Sequence, residues 1–252
     1  MDPHLRPTTF LDYNHPRLQQ LIGERGWTDL PTPDRIAAVY TFVRDEIPFG
    51  YNASDDIPAS AVLADGYGQC NTKTTLLMAL LRALDVPTRF HGATIHKSLQ
   101  RGILTGALYH IAPRDIIHSW AEVQHERRWV GLEGVILDRP YLDGIRAKFP
   151  DRRDRFLGYG VGTTNLTQPP IDWNGTDTAI QSTGVNNDYG TYHDPDTFYR
   201  QHGTNIRGLR AWLFNHHIRH IMNRNAAAVR SCTPSSPSAA RLRTSLSSRA
   251  GK

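Results

Sequence analysis

The sequence predicts an α+β domain, and three observations carry that expectation. Residues 71–85 are apolar on nearly every side at helical spacing, residues 117–133 alternate as two short strands around a tight turn, and residues 158–195 are rich in Gly, Asn, Thr, Asp and Pro. A helix without a polar face is central and buried. Alternation marks half-buried strands, and the third region reads as long loops with little regular structure. At 252 residues the chain is long enough for one large domain. A content of 39% hydrophobic and 21% charged residues excludes collagen-like, fully disordered and membrane-spanning chains. The opening MDPHLRPTTFLDYN has neither a basic nor an apolar leader segment, so a cytoplasmic location is expected.

Taken in order, residues 1–31 read as an N-terminal extension. Residues 32–47 form an amphipathic helix: Thr32 suits the N-cap, Pro33 the first helical position, and Asp34 the positive end of the dipole. Ile36, Val39, Tyr40, Val43 and Ile47 share one face, and Pro48 stops the helix. Residues 50–69 read as a loop leading to Cys70, after which the buried helix runs until Val86-Pro87 ends it. Residues 88–95 read as a strand. Residues 117–124 and 127–133 form a β-hairpin around His125-Glu126, a turn that is not of the favoured Asn-Gly type. A last helix spans 206–224, and from 233 onward the Ser/Pro-rich chain is expected to be disordered. The expected divisions are therefore 1–31, a core at 32–138, a loop-rich and helical part at 139–229, and a basic tail at 230–252.

Charge excludes one obvious class. The net charge of +5 resides in Arg230, Arg241, Arg243, Arg249 and Lys252, which leaves 24 basic against 24 acidic residues in 1–229. A nucleic-acid-binding fold would carry its excess on the folded surface, so neither a nucleic-acid nor a membrane partner is expected. The two cysteines, Cys70 and Cys232, do not make a disulfide framework.

Cys70 lies between Gly66-Tyr67-Gly68 and the first turn of the buried helix. Unpaired N–H groups and the helix dipole favour a thiolate there, and the same N–H groups can stabilise an oxyanion. A small packed hydrophobe is the plainer reading of such a cysteine. The hairpin adds weight to chemistry: with a turn at 125–126, residue 118 stands opposite 133, so His118 and Glu133 become cross-strand neighbours. A carboxylate holding one imidazole nitrogen leaves the other to take the thiol proton. Trp120 and Trp129 fall on the same face, as candidate walls of an acyl site or as plain hairpin packing. Gln69 and Asn71 are adjacent polar groups that could serve the oxyanion or simply face solvent. Lys73 and Arg89 flank the helix and could attract an acidic substrate or pair structurally. His216, His217 and His220 lack the Glu of a metalloprotease helix, the acidic residues of 172–196 lack calcium-loop spacing, and no metal or cofactor is expected.

The ordered set Gly68-Gln69-Cys70 before a Leu-rich helix, Val-Pro-Thr-Arg at 86–89, His118-Ser119-Trp120-Ala121-Glu122-Val123 and Trp129-Val130-Gly131-Leu132-Glu133 resembles the transglutaminase-like superfamily of papain-like thiol enzymes. The resemblance covers roughly residues 34–138. It implies a core helix bearing the Cys packed on an antiparallel sheet, with Cys70 as nucleophile, His118 as base and Glu133 as orienting acid. The family usually has Asp in the third place, so Asp138 is a second candidate. The activity implied is acyl transfer or amide and peptide hydrolysis, with a peptide, amide, ester or thioester as acyl donor and water or an amine as acceptor. A binding module of this fold that has lost turnover is the alternative, and residues 140–204 are expected to shape the acyl pocket.

Overall fold

In the computed structural model, which describes residues 2–206 and 208–232, the chain opens with helix α1 (Pro16–Arg25), closed by Gly26 in the left-handed region. Helix α2 (Thr32–Thr41) follows, with Pro31 rather than Thr32 as its N-cap, and continues as a π-turn at Phe42–Glu46. The segment expected to be an uninterrupted loop contains helix α3 (Ala59–Asp65), set between Pro58 and a left-handed Gly66. Helix α4 (Cys70–Ala83) is the buried helix, and Leu76, Leu77, Met78, Leu80 and Leu81 are all fully buried in it. Strand β1 (Thr88–His96) comes next, then a short helix α5 (Gly106–Ile111).

Strands β2 (Asp115–His125) and β3 (Arg128–Gly131) form the expected hairpin, but its turn is Glu126-Arg127, both at positive φ (47° and 64°). The register therefore pairs Val123 with Val130 and Glu122 with Gly131. This differs by two residues from the expected pairing of 118 with 133. The observed register sets two buried β-branched residues directly opposite each other, which the expected one would not. A two-residue slip preserves the face of every side chain.

Helix α6 (Arg139–Lys148), the two-stranded ribbon β4 (Phe156–Gly158) and β5 (Val161–Thr163), and strand β6 (Val185–Tyr192) follow. β6 corrects the expectation of loops over 158–195: it pairs antiparallel with β1 and completes a four-stranded sheet in the order β3-β2-β1-β6. Its sequence, VNNDYGTY, carries no strand alternation because it is that of an edge strand, polar and interrupted by register shifts. The last described elements are α7 (Pro195–His202), α8 (Leu209–Leu213), a second π-turn at Phe214–Ile218, and α9 (Arg219–Arg230).

Helix α4 packs on β2 and β1, so the layer arrangement is a buried helix against an antiparallel sheet. α9 packs on α6 at Gly144, where a Cβ would come within 2.0 Å of the Val229 carbonyl oxygen. Arg230, counted above with the basic tail, lies in the last turn of α9 and pairs with buried Asp138 at 2.6 Å. The disorder expected from 233 onward concerns residues outside those described. Among the described residues no helix is long and apolar enough to cross a membrane.

Candidate active site

Cys70 is the first residue of α4, where helical N–H groups have no intrahelical partner. The turn before it is fastened from several sides. The Gln69 N–H donates to Thr72 Oγ1 (3.1 Å), and Thr72 donates to Asn52 Oδ1 (2.6 Å). Gly68 has no room for a side chain, since a Cβ would lie 2.8 Å from both Thr72 Oγ1 and Lys73 Cγ.

Gln69 is buried, not solvent-facing: its Oε1 accepts from the Asn52 N–H (2.9 Å) and its Nε2 donates to Asp55 (3.0 Å). Asp55 also accepts from Asn205 Nδ2 (2.8 Å), and Asn205 Oδ1 accepts the N–H of Ile117 (2.6 Å). The neighbour of Cys70 is thereby tied, through Asp55 and Asn205, to the neighbour of His118. Asn71 makes the second tie: its Nδ2 donates to the Ile117 carbonyl (3.2 Å) and its Oδ1 accepts from Ser119 (2.9 Å). Cys70 and His118 are thus flanked by hydrogen bonds on both sides, from residues whose amide and carboxylate groups carry no local sequence signal of such a role.

His118, on β2, is fully buried, and its Nε2 lies 2.9 Å from Glu133 Oε1. The pairing expected from the hairpin therefore exists, but by another route. β3 ends at Gly131, and a 3₁₀ turn at Glu133–Val135 returns the carboxylate to the imidazole. The longer Glu side chain suits a residue placed beyond the strand. Glu133 Oε2 accepts the N–H groups of Ile180 (2.9 Å) and Gln181 (3.2 Å), fixing the carboxylate. Gly134 permits this turn, for a Cβ there would meet Tyr40 Oη at 2.6 Å.

Nδ1 of His118 has no hydrogen-bond partner and is buried. Burial alone would lower the imidazole pKa; the negative charge of the nearby Cys70 sulfur and the Glu133 carboxylate outweigh it and push the value up to about 9. The sulfur and Nδ1 are electrostatic neighbours without a hydrogen bond of ordinary geometry, an arrangement common in thiol sites before substrate binds.

Asp138 is not near this imidazole. It caps α6 through the Tyr141 N–H (3.0 Å), accepts from the Phe49 N–H (2.8 Å) and pairs with Arg230. Lys73 and Arg89 are likewise structural: Lys73 Nζ, fully buried, donates to the carbonyls of Arg44 (3.0 Å) and Ile136 (3.1 Å), and Arg89 binds Glu122 (2.6 Å). Burial lowers the Lys73 pKa to about 7.

Two cavities adjoin the site. The first, of about 420 Å³, reaches Cys70 and Gln69 and is lined chiefly by residues 104–117 and 204–222. The expected wall, 140–204, contributes only Gln181 and Thr204, because α6 and the β4–β5 ribbon pack elsewhere. The second cavity, of about 390 Å³, lies beside Glu133 and holds Trp120 and Trp129. The two tryptophans do not line the Cys70 cavity: Trp120 stacks on His91 (centroids 4.0 Å apart) and Trp129 carries the Arg89 guanidinium at 4.6 Å.

With a thiol opening the central helix and an imidazole held by a carboxylate on the adjoining sheet, residues 21–133 match the family model of the Transglutaminase-like superfamily. That stretch is similar to a transglutaminase-like core. The match begins within α1 and ends at Glu133, so it takes in all three residues of the cluster and leaves α6 to α9 outside. Among solved structures, the chain is similar to a "Putative Cysteine Protease" from Cytophaga hutchinsonii at 13% identity and a TM-score of 0.44, covering 77% of this chain. It spans about half of that protein, 47% of its length. No curated protein matches the chain.

Proposed function

We propose that the protein is a thiol acyltransferase or hydrolase acting through an acyl-enzyme on Cys70. The observation that carries this reading is the division of labour at His118: Nε2 is engaged by Glu133 at 2.9 Å, while buried Nδ1 is left without a partner beside the sulfur. Cys70 attacks the carbonyl of an amide, ester or thioester. The tetrahedral oxyanion lies against the N–H groups that open α4. His118, bearing the thiol proton, passes it to the leaving group and then accepts a proton from the incoming water or amine. Glu133 keeps the imidazole in the tautomer and orientation that this requires. Water as acceptor gives hydrolysis and an amine gives amide formation.

Intact-mass spectrometry after exposure to p-nitrophenyl acetate tests the reading. One acetyl group mapped to Cys70, absent from Cys70→Ala, is expected; an adduct that persists in Cys70→Ala would remove Cys70 from its role. A protein that binds acyl compounds but never forms the adduct would instead be a binding module on this fold.

A further inference from the structure

We infer that the acyl donor carries an apolar chain on its carbonyl, and that the cavity at Cys70 receives this chain; the inference rests on the acyl-enzyme reading. The cavity, about 420 Å³, falls in the range of roughly 300–1,000 Å³ typical of small-molecule sites. At about 30 Å³ per water-sized group it holds a chain on the order of ten carbons. Its walls include Ile95, Leu104, Leu108, Ile117, Phe214 and Met222. The polar side chains nearest Cys70 on the same wall are occupied within the protein, while Gln181 Oε1 and Asn215 Oδ1 are acceptors left without a partner. Asp55 holds Gln69 and Asn205, and Gln100 Oε1 accepts from Tyr51 (2.7 Å). A peptide or sugar would find few free groups there to replace its hydration.

The mouth is largely apolar as well, with exposed Arg210 among its lining residues. Ile111 and Leu213 line the cavity and are 67% and 40% exposed, and Leu209 and Trp212, on the same helix as Leu213, are 81% and 53% exposed. Among the described residues these are four of the six large hydrophobic side chains left most exposed. An exposed apolar cluster concentrated at a cavity entrance marks a binding site. A π-turn, a frequent mark of functional sites, supplies Phe214 and Ile218 to the wall.

The position of the imidazole tells which half of the substrate enters. His118 must deliver its proton to the leaving group, so the leaving group lies on the imidazole side of the sulfur. Cys70 lines the apolar cavity and His118 does not. The half of the substrate inside the cavity is therefore the acyl half. In the first step the S–C bond forms, the bond from carbonyl carbon to the leaving oxygen or sulfur breaks, and the proton on His118 goes to the leaving atom. In the second, water adds, its proton returns through His118 to the sulfur, and a carboxylic acid leaves.

The test is a series of p-nitrophenyl esters from acetyl to dodecanoyl, with Cys70 acylation followed by intact mass. The rate constant is expected to rise about fourfold per methylene until the cavity is full. S-decyl thioacetate, with its chain on the leaving side, should react no faster than S-methyl thioacetate. The double variant Ile111→Glu/Leu213→Glu places charge at the cavity mouth and should flatten the series, the longest esters losing the most. Acylation at a rate independent of chain length, or faster with the chain on the leaving group, overturns the inference and leaves Cys70 as nucleophile. Calorimetry of decanoate with Cys70→Ala separates the converse: binding there, with no acylation of the wild type by any ester, keeps the apolar cavity and rejects the acyl-enzyme.

Discussion

Two histidines on neighbouring strands of one sheet, His91 on β1 and His118 on β2, each meet a glutamate. His91 places Nδ1 2.6 Å from Glu122 and Nε2 2.7 Å from Asp188, so both ring nitrogens face carboxylates and the ring has no lone pair to offer. Burial works against its charge, but the two carboxylates raise its pKa above the usual value. His118 has one carboxylate only, and its second nitrogen faces a thiol. The lesson is that a His–Glu pair is a charge anchor or an acid–base depending on what its other nitrogen meets.

Substitution at the two sites should separate these roles. His118→Gln is expected to lower the acylation rate by about 10²- to 10⁴-fold with the fold intact, the usual scale for losing an acid–base group; His91→Gln should change it by less than about threefold. Equal losses in ester kinetics would erase the distinction. Glu133→Gln should cost about 10²- to 10⁴-fold in rate, by analogy with a triad whose carboxylate is replaced by its amide. Asp138→Asn should leave the rate nearly unchanged but lower stability by about 3 kcal/mol, since it unpairs Arg230. A severe rate loss in Asp138→Asn with a mild one in Glu133→Gln would exchange their roles. Asn71→Ala, which removes one of the two ties between the segments bearing Cys70 and His118, should reduce kcat about tenfold while KM stays close to wild type.

The smallest effect is one of pH. Because the folded His91 pKa lies above 6.5, its ion pairs stabilise the protein fully below about pH 6.5, and the contribution is lost as pH rises through the raised value. Glu122 and Asp188, whose pKa values are lowered, lose their share only in acid. In urea melts, wild type should therefore exceed His91→Gln by more at about pH 6 than at about pH 9. A gap that widens with pH would contradict the doubly paired imidazolium.

The parts of the fold legible in the sequence were those with strong periodicity: α4, β1, the hairpin, and the helix that begins at α8. α3 and α5, both under eight residues, and the polar edge strand β6 were not legible, because their formation depends on tertiary packing rather than local pattern. At the site, the resemblance pointed to Cys70, His118 and Glu133, and the face of the hairpin survived a register error because a slip of two preserves it. What sequence could not reveal was the frame around them. The N–H groups of Ile180 and Gln181 are backbone atoms with no residue signature, and the Asp55–Asn205 link joins positions 150 residues apart.

The pairing of the free His118 nitrogen with the Cys70 sulfur is tested most directly by iodoacetamide. Cys70 is buried and Cys232 is only partly covered, so access alone favours Cys232. Faster alkylation of Cys70 than of Cys232 in the wild type, with the advantage lost in His118→Gln, is the expected result. A Cys70 that labels no faster than Cys232, or whose rate ignores the substitution at His118, would contradict it.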